Sequence, residues 1–207
     1  MTHYDSLIIN LAFSKMADLR TLKLNNNKIQ YVTKKTFQLN VNLEEIDLSY
    51  NKIGWMDSSD RGAIRNLKLI HRQAFENNAN VKKLHLNNNY INDLKPETFN
   101  GMTSLVEINL DHNAIEEIDA DLFANNPNLK FVFMRYNGIT SVPSFDANKE
   151  LKIAYLSHNA ITSLSGLNNL EHLKRIDLGD NDFGEIKNNA LVSTYESYNM
   201  SHIIYSI

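Results

Sequence analysis

Cysteine is absent from this 207-residue chain, proline occurs three times, glycine seven times and tryptophan once. Without thiols there is no disulfide framework, no thiolate metal site and no cysteine nucleophile, and nothing in the composition separates an oxidising from a reducing compartment. Long apolar runs are missing as well. None approaches the roughly 18 residues needed to cross a bilayer, and Met1 to Leu22 lacks the basic flank and apolar stretch of a secretory signal. Nor does one sign of charge dominate: 21 basic against 24 acidic residues leave −3, which gives no electrostatic ground for nucleic acid or an anionic membrane as partner. What is plentiful is asparagine, with 30 residues, in a chain that is 43% hydrophobic and 22% charged and so suits one domain with a core.

Self-similarity organises the chain. Aligned on one Asn, the pattern L-x-x-L-x-L-x-x-N-x-L occurs seven times, first as Leu19, Leu22, Leu24, Asn27, Ile29 and then around Asn51, Asn89, Asn113, Asn137, Asn159 and Asn181. Asn-to-Asn spacings are 24, 38, 24, 24, 22 and 22. A second feature recurs with the same period: Phe13, Phe37, Phe75, Phe99, Phe123 and Phe145, each at a fixed offset from the repeat Asn, with Ile8, Val32, Ile70, Leu94 and Ile118 five residues earlier.

In both halves of this unit the sequence resembles the leucine-rich repeat family. The early repeats look like the 24-residue subtype of many extracellular receptors, and the last two, with Leu164, Leu167, Leu170 and Leu173, like a 22-residue subtype common in intracellular scaffolds. The resemblance implies an α/β solenoid, a curved horseshoe with irregular or short helical convex segments. Alternating Leu positions predict about seven short strands in one parallel concave sheet, near 21–25, 45–49, 83–87, 107–111, 131–135, 153–157 and 175–179. Each repeat Asn should turn inward at the bend after the strand and satisfy backbone groups there, and the Phe column should stack within the core.

The frame also sets boundaries. Residues 1–191 read as the solenoid, with a partial first repeat over 1–13 whose strand and polar cap are missing. The 38-residue interval is one repeat plus an insertion over about 54–69, which carries Trp55 and the helically spaced Ile64 and Leu67. It reads as a tolerated excursion ahead of a binding loop. Past Leu191, Ser197, Met200 and His202 fall where the next leucines belong, so 192–207 reads as a non-repeat tail that folds over the open end through Ile203, Ile204 and Tyr205, or else as foreign to the pattern.

No hydrolase, zincin or phosphate-loop motif occurs. His85, His112 and His158 fall in different columns or repeats and read as surface residues, not metal ligands, and Asp177, Asp180 and Asp182 do not fit a calcium loop. The single glycosylation sequon, at Asn199, is fewer than chance would give. The expectation is therefore a protein that is not an enzyme, with no cofactor and no metal.

Stacking the repeats lays two concave columns side by side. One reads Thr21, Glu45, Lys83, Glu107, Phe131, Ile153, Arg175 and the other Lys23, Asp47, His85, Asn109, Phe133, Tyr155, Asp177. Alternating charge in the first half should compensate itself. In the second half aromatics replace charge, so Phe131, Phe133, Ile153 and Tyr155, with Arg135 beside them and Tyr136 and His158 at the edge, form the candidate partner-binding surface. The competing reading is that the tail, the insertion or a second copy of the chain covers these residues.

The expected function is recognition of a protein partner on the concave face, with a homo- or heterodimer among the arrangements, and with neither nucleic acid nor membrane insertion involved. Resemblance to Toll-like receptor ectodomains and insect immune proteins implies innate immunity or cell-surface recognition in an extracellular setting. The alternative is a cytoplasmic scaffold or regulatory subunit of an enzyme such as a phosphatase.

Overall fold

Apolar side chains two residues apart make each repeat begin as a short strand, and the computed structural model shows where they go. It describes residues 12–55, 70–168 and 170–183, together with the backbone of 202–204. Seven three-residue strands appear at the seven copies: β1 (Thr21–Lys23), β2 (Glu45–Asp47), β3 (Lys83–His85), β4 (Glu107–Asn109), β5 (Phe131–Phe133), β6 (Ile153–Tyr155) and β7 (Arg175–Asp177). All pair in parallel, in chain order, within one sheet. The middle residues Leu22, Ile46, Leu84, Ile108, Val132, Ala154 and Ile176 are buried, while their neighbours on either side face out, as a period of two requires.

The strands stop two residues short of the expected range because the chain bends. The residue before each repeat Asn (Asn26, Tyr50, Asn88, His112, Tyr136, His158 and Asp180) sits in the left-handed region with φ between 52° and 58°. This conformation ends a strand at once, and for Tyr it is uncommon. The following Asn then makes it affordable. Asn113 donates from Nδ2 to the carbonyls of Leu86 and Leu110, both at 3.0 Å, while its Oδ1 accepts the Ile91 N–H at 3.0 Å. Asn51, Asn89, Asn137, Asn159 and Asn181 repeat this, so each ties its own bend to the previous repeat.

On the convex side Phe37, Phe75, Phe99, Phe123 and Phe145 are fully buried and stacked, with ring centroids 5.7 to 6.3 Å apart. A second Asn column, three residues after the Phe, lies beside them. Nδ2 of Asn126 donates to the carbonyls of Phe99 and Met102, and Asn78 and Asn148 do the same one repeat away. Met102 interrupts this column, and there the backbone itself comes close: a Cβ on Gly101 would stand 2.2 Å from the Phe75 carbonyl oxygen.

Between β1 and β7 the helical segments among the described residues are two 3-10 turns, Pro96–Phe99 and Ser165–Leu167. The α/β class is thus met by strands joined through extended and turn segments. The 38-residue interval adds no strand to the sheet, since Ile46 pairs directly with Leu84 and Val32 bridges Ile70. Most of the expected insertion, 56–69, lies outside the described residues. So does most of the tail, but an eighth strand, β8 (His202–Ile204), continues the sheet in parallel with β7. Ile203 pairs opposite Ile176, 27 residues earlier, so the 24-residue frame that pointed to Met200 falls three residues short. Whether residues of the tail pack over the end of the solenoid lies outside the described residues.

Candidate functional site

Sheet register converts the repeat into a surface. Phe131 pairs with Ile153 and Phe133 with Tyr155 on β5 and β6, and their buried neighbours Val132 and Ala154 fix these four side chains on the concave side. All four are half-buried. They pack on one another: Phe133 meets Tyr155 edge-on, with centroids 5.4 Å apart and planes at 64°. The open apolar area is accordingly well below the about 150 to 250 Å² that each whole ring would offer.

Two cations hold Tyr155. The Arg135 guanidinium lies over its ring, 5.1 Å from the centroid, and an Arg175 amino group donates to its hydroxyl at 3.2 Å. Arg135 is fixed in turn by Asp111, which is 4% exposed and accepts from the Arg135 side chain at 2.7 and 3.1 Å and from its backbone N–H at 2.7 Å. The two guanidinium bonds, both to Oδ2, are the main reason the Arg135 guanidinium holds its proton more firmly than usual, and the Tyr155 hydroxyl does the same for Arg175. Arg135 is thus a positioned residue and not a free cation.

Tyr136 and His158 stand at the edge, among the left-handed residues. Three rings form a stack there, His112 on Tyr136 at 4.2 Å and Tyr136 on His158 at 4.1 Å, and His158 Nδ1 lies 3.1 Å from an Asp180 carboxylate oxygen. His112 and His158 lie in different repeats of one column, as their places before the repeat Asn imply, and Tyr136 separates them. Among the described residues no group of three His, Asp or Glu is placed to hold a metal ion.

Each of the seven expected site residues meets another by direct contact or register, in a group of five, Phe131, Phe133, Ile153, Tyr155 and Arg135, and a pair, Tyr136 and His158, joined where Arg135 and Tyr136 adjoin on one bend. It adds Asp111, Arg175, His112 and Asp180. Their signal was available in the repeat: Asp111 and Arg135 occupy one repeat position 24 residues apart, and His158 and Asp180 another, 22 apart.

The charged half of the concave face compensates along diagonals. Lys23 of the second column reaches Glu45 of the first at 3.3 Å, and His85 reaches Glu107 at 3.1 Å. Far from these columns, a cleft of about 460 Å³ between Asn92–Pro96 and Ala114–Asp119 gathers Asp93, Glu116, Glu117 and Asp119, with Lys95 held by Asp93 at 2.6 Å.

A leucine-rich repeat model matches residues 10–53, 65–115, 79–139 and 104–161, and a two-copy leucine-rich repeat model matches 149–188. Prolargin of Mus musculus is 38% identical over 64 residues, which are 31% of this chain and 17% of prolargin, so the chain spans under a fifth of that relative's length. Lumican of Oryctolagus cuniculus is 27% identical over 179 residues, covering 70% of this chain and 90% of lumican. Among solved structures, the complex of TLR13 with ssRNA13 superposes with a TM-score of 0.71 at 25% identity, over 87% of this chain and 24% of that one.

Proposed function

Since this chain belongs to the leucine-rich repeat family, we propose that it is a non-enzymatic protein-recognition module that binds its partner on the C-terminal half of the concave sheet. The observation that carries this reading is the change of chemistry along one continuous surface. From β1 to β4 outward side chains are mostly charged or polar, with Lys23 on Glu45 and His85 by Glu107, whereas on β5 and β6 they become Phe131, Phe133, Ile153 and Tyr155. Interfaces are enriched in Tyr, Phe and Arg and depleted in Lys and Glu at their centre, and this half has that composition. Arg135, locked by Asp111, and the Tyr136–His158 stack give the patch a rigid polar border, which lowers the ordering entropy lost on binding.

An extracellular setting and a role in innate immunity or cell-surface recognition belong to the same proposal. Likeness to lumican and to the TLR13 structure supports them over the cytoplasmic scaffold.

Photocrosslinking tests the location. A benzoylphenylalanine placed singly at Thr21, Glu45, Phe131 or Ile153 reports which part of the concave column a partner touches. Crosslinks should form from positions 131 and 153 and be absent from 21 and 45. Crosslinks confined to 21 and 45, or spread evenly, would count against the assignment.

A further inference from the structure

The aromatic patch has a basic edge, and resting on the recognition reading above, it identifies the chemistry of the partner. The residue just before each strand forms a third column: Arg20, Glu44, Lys82, Val106, Lys130, Lys152, Lys174. Backbone bonds fix it, since the N–H of Lys152 donates to the Lys130 carbonyl at 2.9 Å and that of Lys174 to the Lys152 carbonyl at 2.8 Å, as those of Glu44 and Lys82 do one repeat after another. Side chains in this column can reach one another. Glu44 takes both the Arg20 guanidinium and, at 2.8 Å, the Lys82 ammonium.

The same column changes at its C-terminal half, where three ammonium groups follow in successive repeats with no acid between them. Strands lie about 4.8 Å apart, so these charges repel one another unless something anionic spans them. Arg175 adds a fourth cation beside Lys174. Among the described residues no carboxylate pairs with Lys130, Lys152, Lys174 or Arg175. The acids nearby are otherwise engaged: Asp111 by Arg135, Glu107 by His85, Asp177 by Ser157 and the Gly179 N–H, and Glu150 beside His172 at 4.0 Å. Glu171 shares that flank and is exposed. This local excess stands out in a chain whose net charge is −3.

We infer that the partner presents an acidic polypeptide segment, its carboxylates on Lys130, Lys152, Lys174 and Arg175 and its apolar side chains on the Phe131–Tyr155 floor. Ammonium groups suit carboxylates as point charges. The rings argue against a single-stranded nucleic acid, which stacks bases on open aromatic faces. Here Arg135 covers a face of Tyr155, and Phe133 meets that ring edge-on, so the floor offers edges and partial faces.

Anisotropy titration of a labelled peptide built from glutamate and leucine tests this on the full chain. The comparison set is the same peptide with glutamine for glutamate, an oligouridylate RNA, and three variants whose folding is checked by circular dichroism: K130Q/K152Q/K174Q, F133S/Y155S, and K15Q/K34Q/K35Q, which loses equal charge elsewhere. The acidic peptide should bind the parent, weaken as salt rises, and weaken about tenfold or more in K130Q/K152Q/K174Q but under about twofold in K15Q/K34Q/K35Q. The glutamine peptide should bind worse than the acidic one. No binding to the parent, equal loss in both lysine variants, an indifferent glutamine peptide, or tighter binding of the RNA would each overturn the inference. Loss in F133S/Y155S with none in K130Q/K152Q/K174Q overturns the acidic partner and leaves the concave patch standing. The reverse pattern keeps the acidic partner and removes the rings from its site.

Discussion

At Asn89 one side chain closes three backbone groups, donating to the carbonyls of Leu48 and Leu86 and accepting from the buried Ile53 N–H. Replacing it with Ala leaves the buried Ile53 N–H unpaired, at about 1 to 3 kcal/mol, and takes one donor from each of the Leu48 and Leu86 carbonyls, which keep Asn51 and Asn113. Asn89→Ala should therefore lose about 2 to 4 kcal/mol in urea unfolding. Among the described residues Asn27 bonds to the carbonyls of Leu24 and Asn25 in its own exposed bend, so Asn27→Ala should lose about 1 kcal/mol. Equal losses at the two positions would show that the bridge between repeats contributes nothing. Gly101 has no room for a side chain. Its Cβ would fall 2.2 Å from the Phe75 oxygen, and Gly101→Ala should destabilise by about 1 to 3 kcal/mol, read from the same unfolding curve. The first Asn column was legible because it keeps one offset from the leucines. The second was not, because Met16 and Met102 interrupt it and its acceptors lie in the preceding repeat.

Among the described residues no strand exceeds three residues, and none could stand alone, so the elements are held by what runs across them: the backbone ladder, the Asn bridges and the stacked Phe column. Phe99 sits mid-column with a ring on each side, and Phe99→Ala should cost about 3 to 5 kcal/mol in thermal or urea unfolding, more than truncating half-buried Phe133. Cross-strand charges contribute less. Lys82 first, then Arg20, hold the Glu44 carboxyl below its ordinary range. A carboxyl lowered on folding stabilises above its unfolded pKa, about 4.3, and that contribution fades as pH falls through the lower folded value. The stability gap between parent and Glu44→Gln should accordingly be constant near neutrality and shrink below about pH 4. A gap that widens on acidification would contradict the assignment. Strand positions and register were readable because repeat spacing alone fixes which residues face each other. β8 was not, since its spacing of 27 breaks the 22- and 24-residue rule. Half-burial of the rings on β5 and β6 depends on how Phe133 and Tyr155 turn against each other, which periodicity does not specify.

One parallel sheet presents a largely charged half, partly paired within itself, and an aromatic half edged by Lys130, Lys152 and Lys174. On the concave side the two halves share one strand design and register, so what differs there is side-chain chemistry. That makes them each other's control. The most direct measurement is the affinity of the partner recovered through position 131 or 153, titrated calorimetrically against the parent, Glu45→Gln with Lys83→Gln, and Phe133→Ser with Tyr155→Ser. Both variants alter outward side chains and should unfold near the parent midpoint. Binding should survive the first pair of changes within about threefold and fall at least tenfold, about 1.4 kcal/mol, with the second. Retained affinity in the folded Phe133→Ser, Tyr155→Ser variant, or a tenfold loss from Glu45→Gln with Lys83→Gln, would contradict the placement of recognition on β5 and β6.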